Sequence, residues 1–571
     1  MAQCFCMKKP IFLLCAAFAF SAVAKVTWFA VDPMGETPYL PDTPPEGGLE
    51  GEPVRIVAAR GEYEPGSFVL VSDEDLGKVR FAVGDLRTSD GKVFPASRLD
   101  LKTVKVWYQA GNAWTSYFED PGLKLCPELL LNDEDLVLVD RKKGWNYARL
   151  TEADGTVSYR WLNPPRDVDT RTEDAPGFRL DDSFLCMKPN FRDAEAHCGA
   201  TLTKGEHKQF FLTADVTGGV APGLYRGGVQ VGDSASVPVV LRVLDFDLPA
   251  PKCYFDVEKD FATWFCEYVG INHIVAVNGN DRALAERQLQ AILRDFVRHG
   301  EVLPSYRDRI ARADLGLEAG MCFTNHLMAG SMLLGQKAEM RYDARRKRER
   351  LERKFGPAPK YLSWGDEFGL ATLRGVREMI EIYQGEGFLF PVNSRVGYEA
   401  GGYLADLFWP PVRPDGSSAK EAFRYNQLGD GYFGWYASQH VGVENPAFCR
   451  RQYGFGPYRA GLSCNFNYAH HLQGWNDRGH TLYRPMMLVY GAGHGCIDTI
   501  AWEGFREGLD DIRYATKLLQ LAKPLARSKD VKARYAAKKA LQLLADADGD
   551  DMDLTALRLE MIRHIETLRS L

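Results

Sequence analysis

The sequence predicts a multidomain protein with an N-terminal antiparallel β-sandwich, a central (β/α)8-type barrel and a C-terminal helical region. Its 571 residues are too many for one ordinary domain. Short alternating runs fill the first part, strand-like and helix-like segments alternate in the second, and apolar residues recur at helical spacing in the third. We predict a signal peptide at residues 1–24, the sandwich at 25–250, a catalytic barrel at 251–500 and the helical region at 501–571.

The first 24 residues have the pattern of an export signal. Lys8 and Lys9 precede the apolar run "IFLLCAAFAF", and Ala22 and Ala24 fit the small-x-small rule for cleavage. The apolar run is too short to span a bilayer, and no later run reaches the required length. The sequence therefore predicts an exported protein that is periplasmic, secreted or at the cell surface, without stable membrane insertion of the mature chain.

Residues 25–250 show the alternation of half-buried strands. The segments "GSFVLVS", "FFLTADV", "YRGGVQV" and "VPVVLRVLDF" are separated by stretches rich in Gly, Pro and Asp. Alternation of this length and spacing is typical of antiparallel strands in a sandwich. The two prolines in "LDFDLPAPK", at residues 244–252, cannot continue a central strand, so we predict that the domain ends there.

Helix-like and strand-like segments alternate after this linker. A helix is predicted from the N-cap Asp281 to the terminating Gly300, and further helices at 343–354 and 370–383. The first helix has one apolar stripe: Leu289, Ile292, Leu293, Phe296 and Val297. Strands are predicted in "KYLSW", "GFLFPVN", "YLADLFW", "YFGWYAS", "LSCNFNY" and "MMLVYG". This alternation favours a parallel barrel, with an open doubly wound sheet as the alternative.

The chain from about Ala501 to its end is predicted to be helical. Apolar residues repeat there at spacings of three and four and form a packing face to which we assign no chemistry: Leu554, Leu557, Met561, Ile565 and Leu568.

Several functional classes lack support in the sequence. The net charge of -6 provides no basic field for nucleic acid. No G-x-G-x-x-G or Walker A motif indicates a nucleotide, and neither G-x-S-x-G nor H-E-x-x-H occurs. Of the 12 cysteines, nine lie beyond the signal, and none forms a C-x-x-C pair or a Cys/His cluster with zinc-like spacing. We therefore predict no cofactor and no metal ligands.

Two adjacent acids, Asp366 and Glu367 in "YLSWGDEFG", follow a predicted barrel strand. Working groups of a parallel barrel lie at the carboxyl ends of its strands. Glycosidic hydrolysis needs one protonated carboxyl group and one carboxylate, and two close acids raise the pKa of one of them. Taken alone, however, such a pair is more often a solvated strand end.

Aromatic and amide residues near other strand ends favour the catalytic interpretation. Aromatic faces with polar neighbours are the expected lining of a saccharide cleft. Phe408, Trp409 and Phe466 belong to this aromatic set, with Asn465, Asn476 and Asp477 interleaved, and His440, His470 and His471 are further candidates for binding sugar hydroxyls. The predicted substrate-binding residues are Trp364, Asn325, His326, Trp435, Tyr436, Asn467, Tyr468 and Trp475.

The segment "DTIAWEGFREGLDDIRYATKLL", residues 498–519, resembles the "R-W-E-x-x-R-x-G-x-x-D-x-x-Y" signature of glycoside hydrolase family 123 and its relatives. The match covers Trp502, Glu503, Arg506, Gly508, Asp511 and Tyr514, with Ala501 in place of the common Arg. "RGEYEPGSFVL" and "APGLYRGGVQV" resemble the sandwich that precedes the barrel in that family. We expect the signature helix to be structural, with Glu503 and Arg506 paired across one turn.

This resemblance implies an exo-acting β-N-acetylgalactosaminidase with a tandem Asp-Glu pair after a barrel strand. Asp366 would then orient the acetamido group of the substrate and stabilise the oxazolinium ion, and Glu367 would be the general acid and later the general base. The sugar would supply its own nucleophile, and the outcome would be retention. Phe368 departs from the Pro that many relatives carry after the pair. Two alternatives stay open: a glycosidase of another glycan with the same acids, and a non-catalytic glycan-binding surface protein.

Overall fold

The computed structural model describes most of the chain after the predicted signal peptide. The described residues are 25–109, 123–162, 188–267, 271–300, 305–306, 322–323, 336–355, 362–363, 369–393, 407–409, 431–436, 445–467, 470, 475, 488–549 and 552–571.

Two larger β-sheets and two small ones form the N-terminal part. The first sheet is fully antiparallel and has the spatial order Lys124–Leu131, Leu99–Gln109, Lys208–Asp215, Tyr63–Ser72, Val26–Val31, Leu49–Glu50. The second has the order Val54–Arg60, Ala235–Asp247, Gly223–Val231, Leu86–Arg87, Val93–Phe94, with Phe81–Val83 beside Gly223–Val231. The small sheets pair Val137–Asp140, Trp145–Thr151 and Val157–Leu162, and Ala200–Leu202 with Gly77–Val79.

The two larger sheets bury one shared hydrophobic core. Phe68 and Phe210 of the first sheet stack with ring centroids 5.2 Å apart, and the same core contains Val229 and Leu241 of the second sheet. The alternation in the sequence produces this core because successive side chains of a strand point to opposite faces. All four strand segments quoted for this part of the sequence lie in these sheets.

Eight short strands in the middle of the chain pair in parallel. In chain order they are Ala262–Glu267, Ser305–Tyr306, Cys322–Phe323, Leu362–Ser363, Pro391–Asn393, Leu407–Trp409, Tyr432–Tyr436 and Cys464–Asn467. Six of them form one sheet, and Cys322–Phe323 pairs with Leu362–Ser363. The first of the eight pairs directly with the last, Ala262 beside Cys464 and Phe265 beside Asn467. In an open doubly wound sheet the strand order reverses beside the first strand, so the first strand does not pair with the last. The pairing of the first strand with the last therefore favours the barrel.

Helices connect or follow these strands. Among the described residues they are Ile271–Val277, Arg282–Arg298, Gln336–Phe355, Leu370–Gly385, Pro446–Arg450, Gly456–Arg459, Ile500–Leu525, Val531–Asp546 and Leu554–Arg569, with a π-helical turn at Arg451–Phe455 and 3-10 turns at Ala96–Arg98 and Glu134–Leu136. No helix in the described part of the chain has both the length and the apolar composition needed to cross a membrane.

The helix Arg282–Arg298 begins and ends as its sequence predicts. The Asp281 side chain accepts a hydrogen bond from the backbone N–H of Leu284, which is an N-cap. At the other end Gly300 adopts a φ of 77°, which glycine tolerates without a Cβ clash. Four residues of the predicted apolar stripe are buried, but Val297 is 42% exposed. Val297 therefore lies at the edge of the stripe rather than in the core.

The predicted strand "MMLVYG" belongs to a different element from the parallel strands. Val489–Ala492 forms an antiparallel hairpin with Gly495–Asp498. This hairpin packs its Tyr490 against Trp107 of the first N-terminal sheet, with ring centroids 5.3 Å apart. Sequence periodicity could not separate the two cases, because a short apolar run is compatible with either a parallel or an antiparallel strand.

Three helices complete the described chain. All five apolar residues predicted for the packing face of Leu554–Arg569 are buried in the largest core, together with residues of Ile500–Leu525 and Arg282–Arg298. Phe246, near the end of the strand Ala235–Asp247, is in the same core. The C-terminal helices thus join the N-terminal sheets to the elements around the parallel strands.

Candidate active site

The predicted catalytic acids belong to the connection between a parallel strand and the next helix. The strand Leu362–Ser363 precedes them, and the helix Leu370–Gly385 follows them. Asp366 and Glu367 themselves fall in residues 364–368, outside the described residues. The order of strand, acids and helix is that of a βα unit, whose connection lies at the carboxyl end of the strand. Their catalytic roles remain predictions.

Most predicted substrate-binding residues also end or follow a parallel strand. Trp435 and Tyr436 end one strand, and Asn467 ends the neighbouring one, with Tyr436 beside Phe466 in the backbone register. Four more follow the end of a parallel strand by one to three positions and lie outside the described residues: Trp364, Asn325, His326 and Tyr468. Trp435, Tyr436 and Asn467 end two neighbouring parallel strands, whose carboxyl ends lie at the same edge of the six-stranded sheet.

Trp475 has different surroundings. Its side chain is only 2% exposed and makes T-shaped contacts with Trp107 and Phe191. Its indole N–H donates to the backbone carbonyl of Gly491 at 2.8 Å. These contacts lie in the core between the first N-terminal sheet and the antiparallel hairpin, so they favour a structural role over an open platform for a sugar.

The histidine candidates divide in the same way. His470 is fully buried, packs against Phe296 with ring centroids 4.1 Å apart and places its Nε2 atom 3.5 Å from Asp295 Oδ2. His440 and His471 lie outside the described residues, as does His326. His470 therefore belongs to a buried polar group and not to a surface that a glycan could reach.

The first half of the signature helix contacts this buried group, which we call the His299 cluster: Asp295, His299, His470, Asp498 and Glu503. The Trp502 indole N–H donates to Asp295 Oδ2 at 2.9 Å, and its rings stack on the His299 imidazole at 4.5 Å. His299 Nδ1 lies 3.0 Å from Asp295 Oδ1, and its Nε2 lies 3.5 Å from Glu503 Oε1. Glu503 also contacts the Arg506 guanidinium, which is the pairing that the spacing predicts.

The second half of the signature helix contacts another buried group, the Arg558 cluster: Glu62, Glu64, Arg450, Glu507, Asp511, Tyr514 and Arg558. Arg558 donates to Glu64, Glu507 and Asp511 at 3.0, 2.6 and 2.7 Å. Arg450 donates to both oxygens of Asp511, at 2.7 and 2.9 Å.

Tyr514 connects the signature helix to the N-terminal sheets. Its hydroxyl donates to Glu62 Oε1 at 2.6 Å and accepts the backbone N–H of Ala59 at 3.0 Å. Arg513 adds hydrogen bonds to the carbonyls of Gly61 and Pro249. The helix is thus fixed to both the first strands and the linker that follows the sheets.

We call the contacts of the signature helix Ile500–Leu525 with the two clusters and the N-terminal sheets the junction. Gly508 allows the backbone of this helix to lie close to its neighbours there. A Cβ atom there would lie 2.6 Å from the carbonyl oxygen of Arg450 and 3.0 Å from the Cα of Gly454. Real side chains do not tolerate the first distance, so this position of the signature requires glycine. Each matched residue of the signature therefore has a structural contact in this junction.

Burial and neighbouring charges set the protonation of the His299 cluster. Burial alone would lower the pKa of His299, but the Asp295 carboxylate and then Glu503 raise it to about 9. Burial opposes the ionisation of Glu503, yet Arg506 and His299 lower its pKa to about 2. For Asp498, burial and the charge of Asp295 both raise the pKa, to about 7. These pKa shifts leave the His299 imidazole positively charged between the ionised carboxylates of Asp295 and Glu503.

Several partners in the two clusters have no signal in the sequence. Asp295 and His299 are about 200 residues from the signature and belong to no recognisable motif, and Glu62, although it lies in "RGEYEPGSFVL", has nothing in its spacing that links it to Tyr514. Buried charges are rarely tolerated unless they are paired, so the several charged residues of the signature could have indicated that partners exist, but not which ones.

Comparison with solved structures gives a match over almost the whole chain. No protein-family model and no curated protein matches the chain. A family 123 glycoside hydrolase from Clostridium perfringens, studied for glycolipid glycan hydrolysis, matches with a TM-score of 0.60 and 11% sequence identity, over 96% of this chain and 98% of its own. A Bacteroides ovatus GH5 xyloglucanase, solved with a XXXG heptasaccharide, aligns with 81% of this chain and 99% of its own chain at 7% identity. Its TM-score of 0.27 is too low to indicate a shared fold.

The first match spans nearly the whole length of both proteins. At 96% coverage, the aligned part of this chain takes in the N-terminal sheets, the parallel strands and the C-terminal helices. The predicted family resemblance is thus confirmed at the level of the fold: this chain has the fold of a family 123 glycoside hydrolase.

Proposed function

We propose that this chain is an exported retaining glycoside hydrolase that acts on a terminal 2-acetamido sugar. The observation that carries the proposal is the position of Asp366 and Glu367 between a parallel strand and its following helix, within a fold shared with a family 123 glycoside hydrolase over almost the whole chain. In the finer architecture, the N-terminal sheets form a β-sandwich and the eight parallel strands close into a (β/α)8 barrel.

Substrate-assisted catalysis is the mechanism that suits two adjacent acids. Asp366 would orient the 2-acetamido group, whose carbonyl oxygen attacks the anomeric carbon and forms an oxazolinium ion. Glu367 would protonate the leaving oxygen and then deprotonate the water that opens the oxazoline. Because the sugar supplies the nucleophile, the two carboxyl groups need not lie on opposite faces of the ring.

The proposed substrate is a glycan with β-linked N-acetylgalactosamine at its non-reducing end. The family resemblance supports this sugar, and the glycolipid glycans hydrolysed by the Clostridium perfringens enzyme are natural first candidates. Trp364, Trp435, Tyr436 and Tyr468 would offer aromatic faces to the sugar, and Asn325, His326 and Asn467 would bind its hydroxyls. Those positions end or follow parallel strands.

A screen of aryl glycosides and glycolipid oligosaccharides tests the proposal. We expect hydrolysis of β-N-acetylgalactosaminides and a loss of about 10²–10⁴-fold in kcat/KM for Glu367→Gln on natural substrates. That loss should be smaller for an aryl leaving group that needs no proton. Asp366→Asn should lose activity on both kinds of substrate, because the acetamido group is no longer oriented.

Inhibition by a thiazoline analogue of the oxazoline separates the mechanisms. Tight binding supports substrate assistance, whereas activity without such inhibition supports a glycosidase of another glycan with an enzyme nucleophile. Glycan binding that survives Glu367→Gln, without turnover of any substrate, would identify a non-catalytic binding protein and refute the enzymatic proposal.

A further inference from the structure

A strongly basic segment lies near the C-terminus. Residues 523–539, which we call the basic segment, run from the last turn of the helix Ile500–Leu525 into the first half of the helix Val531–Asp546. They include one acidic residue, Asp530, whose carboxylate is the N-cap of the second helix. The seven basic residues are Lys523, Arg527, Lys529, Lys532, Arg534, Lys538 and Lys539. Since the whole chain has a net charge of -6, this concentration of positive charge is local.

The cations of the basic segment are not neutralised by acids. Six of the seven are exposed, and the remaining one, Arg534, donates to the backbone carbonyl of Ser528 at 2.7 Å. Within the part of the chain that the structure describes, none of the seven forms an ion pair with a carboxylate. Uncompensated charge on a surface contributes little to the stability of the fold, but it attracts an anionic partner.

Apolar side chains lie among these cations on one ridge of the second helix. Val531 and Tyr535 are 69% and 64% exposed. Val531, Lys532, Lys538 and Lys539 are each three or four residues from Tyr535, so the five side chains share one face of the helix. The Lys539 Nζ atom lies 5.8 Å from the centre of the Tyr535 ring. The buried residues of this helix lie on its other face: Ala533, Ala537, Ala540 and Leu544.

Another basic helix, Gln336–Phe355, shows why the number of cations alone does not define such a surface. Acidic residues are interleaved with its cations: Glu339, Asp343, Glu349 and Glu352. Arg345 pairs with Glu386, and Lys337 pairs with Glu378 of the neighbouring helix. Part of the positive charge of this helix is therefore satisfied within the protein, whereas that of the basic segment is not.

A flat anionic surface suits the exposed ridge better than a single sugar does. A saccharide platform combines an aromatic face with fixed hydrogen-bonding groups, but the exposed neighbours of Tyr535 are a valine and flexible lysines. A lysine ammonium group is a mobile point charge, which can pair with phosphates without a fixed geometry. Tyrosine is also enriched at membrane interfaces, where its apolar ring and its hydroxyl each meet a suitable environment.

We propose that the basic segment is a peripheral docking surface for a bilayer of anionic phospholipid. Its cations are attracted to the lipid phosphates, and Val531 and Tyr535 enter the boundary between head groups and acyl chains. The strength of such interfacial binding depends on both the buried apolar area and the electrostatic attraction. The binding is reversible and inserts no helix into the bilayer.

The contacts of the second helix place its end away from the candidate catalytic acids. Arg459, which precedes the parallel strand Cys464–Asn467, donates to the carbonyls of Ala545 and Ala547. This contact lies toward the amino end of a parallel strand, whereas Asp366 and Glu367 follow the carboxyl end of one. The docking proposal therefore does not depend on the proposed substrate or on the proposed mechanism.

Co-sedimentation of the full mature chain with lipid vesicles tests the proposal. Vesicles of phosphatidylcholine are compared with vesicles of equal parts phosphatidylcholine and phosphatidylglycerol. We expect binding to the anionic vesicles in about 0.1 M salt and its loss in about 1 M, because the Debye length falls from about 10 Å to about 3 Å. The triple variant Lys532→Gln/Lys538→Gln/Lys539→Gln should lower the partition coefficient about 100-fold, since each charge contributes a factor of about 5.

Two further variants make the test specific. Arg341→Gln/Arg346→Gln/Arg350→Gln removes the same charge from exposed positions of the other basic helix and should leave the partition coefficient nearly unchanged. Val531→Ser/Tyr535→Ser should weaken binding to the anionic vesicles and leave its dependence on salt unchanged, because no charge is removed. Circular dichroism should confirm that all three variants are folded.

Several results would overturn the proposal. Absence of binding to the anionic vesicles would do so, and retention on immobilised heparin in that case would identify a polyanionic glycan as the partner. Equal losses in the lysine and arginine triple variants would assign the binding to net charge and not to this surface. Unchanged binding of Val531→Ser/Tyr535→Ser would remove the interfacial contact. None of these results concerns hydrolysis, and all three variants should cleave a soluble aryl glycoside as the unmodified chain does.

Discussion

Two regions of this chain contain a pair of acidic residues close together in the sequence, and the two pairs differ in their surroundings. Asp366 and Glu367 stand in the connection after a parallel strand. Glu507 and Asp511 of the signature helix are buried, and Arg558 and Arg450 satisfy them. Acids that arginines neutralise inside a core can stabilise a junction but are poor proton donors, whereas acids at a strand end can contact a substrate. Glu507 and Asp511 are therefore expected to stabilise the fold, and Asp366 and Glu367 to act on a substrate.

Substitutions in the two regions should therefore have opposite effects on stability and on catalysis. Variants of the junction should lower the free energy of unfolding and leave kcat unchanged while the protein is folded. Variants of Asp366 and Glu367 should lower kcat and leave the free energy of unfolding nearly unchanged.

The largest effect is expected from Arg558→Leu. This substitution leaves the buried carboxylates of Glu64, Glu507 and Asp511 without their shared partner. Breaking a buried ion pair from one side costs about 3–5 kcal/mol. Urea denaturation should show the loss. Arg563→Leu, on the same helix but with a side chain 61% exposed, is the control and should change stability by less than about 0.5 kcal/mol. Similar losses in both variants would contradict the role of the cluster.

Gly508→Ala is expected to have the next largest effect. The new methyl group would meet the carbonyl oxygen of Arg450 at 2.6 Å. The helix Ile500–Leu525 must then move away from the neighbouring turn, at a cost of about 1–3 kcal/mol for overpacking. Thermal unfolding should show a lower Tm, and a Tm equal to that of the unmodified protein would show that the junction is looser than described.

The third prediction concerns pH and Glu62. Burial, and then the charge of Asp510, raise the pKa of Glu62 to about 8, against the opposing effects of Arg558, Tyr514 and Arg513. The unfolded chain releases this proton near pH 4.5, but the folded chain keeps it to about pH 8. Stability from this group is therefore complete below pH 4.5 and is lost as the pH rises to about 8, by at most about 1.4 kcal/mol per pH unit.

Glu62→Gln tests the pH prediction directly. The amide keeps the shape of the protonated carboxyl group and cannot ionise. Urea denaturation at several pH values should therefore give a shallower fall in stability between pH 5 and about 8 for the variant than for the unmodified chain. Identical slopes would assign the pH dependence to other groups. Tyr514→Phe, which removes the hydroxyl bonded to Glu62, should cost about 1–3 kcal/mol.

The sequence predicted the general order of the elements better than the contacts between them. The four strand segments of the N-terminal part and the packing face of the last helix follow local periodicity, and the structure contains them. The direction of the strand at Val489–Ala492 depends on its partner Gly495–Asp498, so local pattern could not decide it. The partners of the signature residues are equally non-local. Glu62 and Arg558 meet Tyr514 and Asp511 only after the whole chain has folded.

The properties of the candidate site also divide into those that the local sequence determines and those that distant contacts determine. A position after a strand is a local property, and the predicted acids and most predicted binding residues have it. Whether a side chain faces a cleft or a core depends on distant packing, as Trp475 and His470 illustrate. Both follow the last parallel strand, and both are buried against elements that come from elsewhere in the chain.

The smallest predicted effect uses the same substitution in a different environment. Gly375 lies inside the helix Leu370–Gly385, which follows the acids, and a Cβ atom there would meet nothing within 4 Å. Gly375→Ala removes conformational freedom from the unfolded chain without a clash, so it should stabilise the protein by about 0.5–1 kcal/mol. Gly508→Ala should destabilise it. Opposite signs for one chemical change, measured by the same thermal unfolding experiment, would show that backbone contact and not helix propensity requires the glycine of the signature, whereas two stabilising changes would remove that explanation.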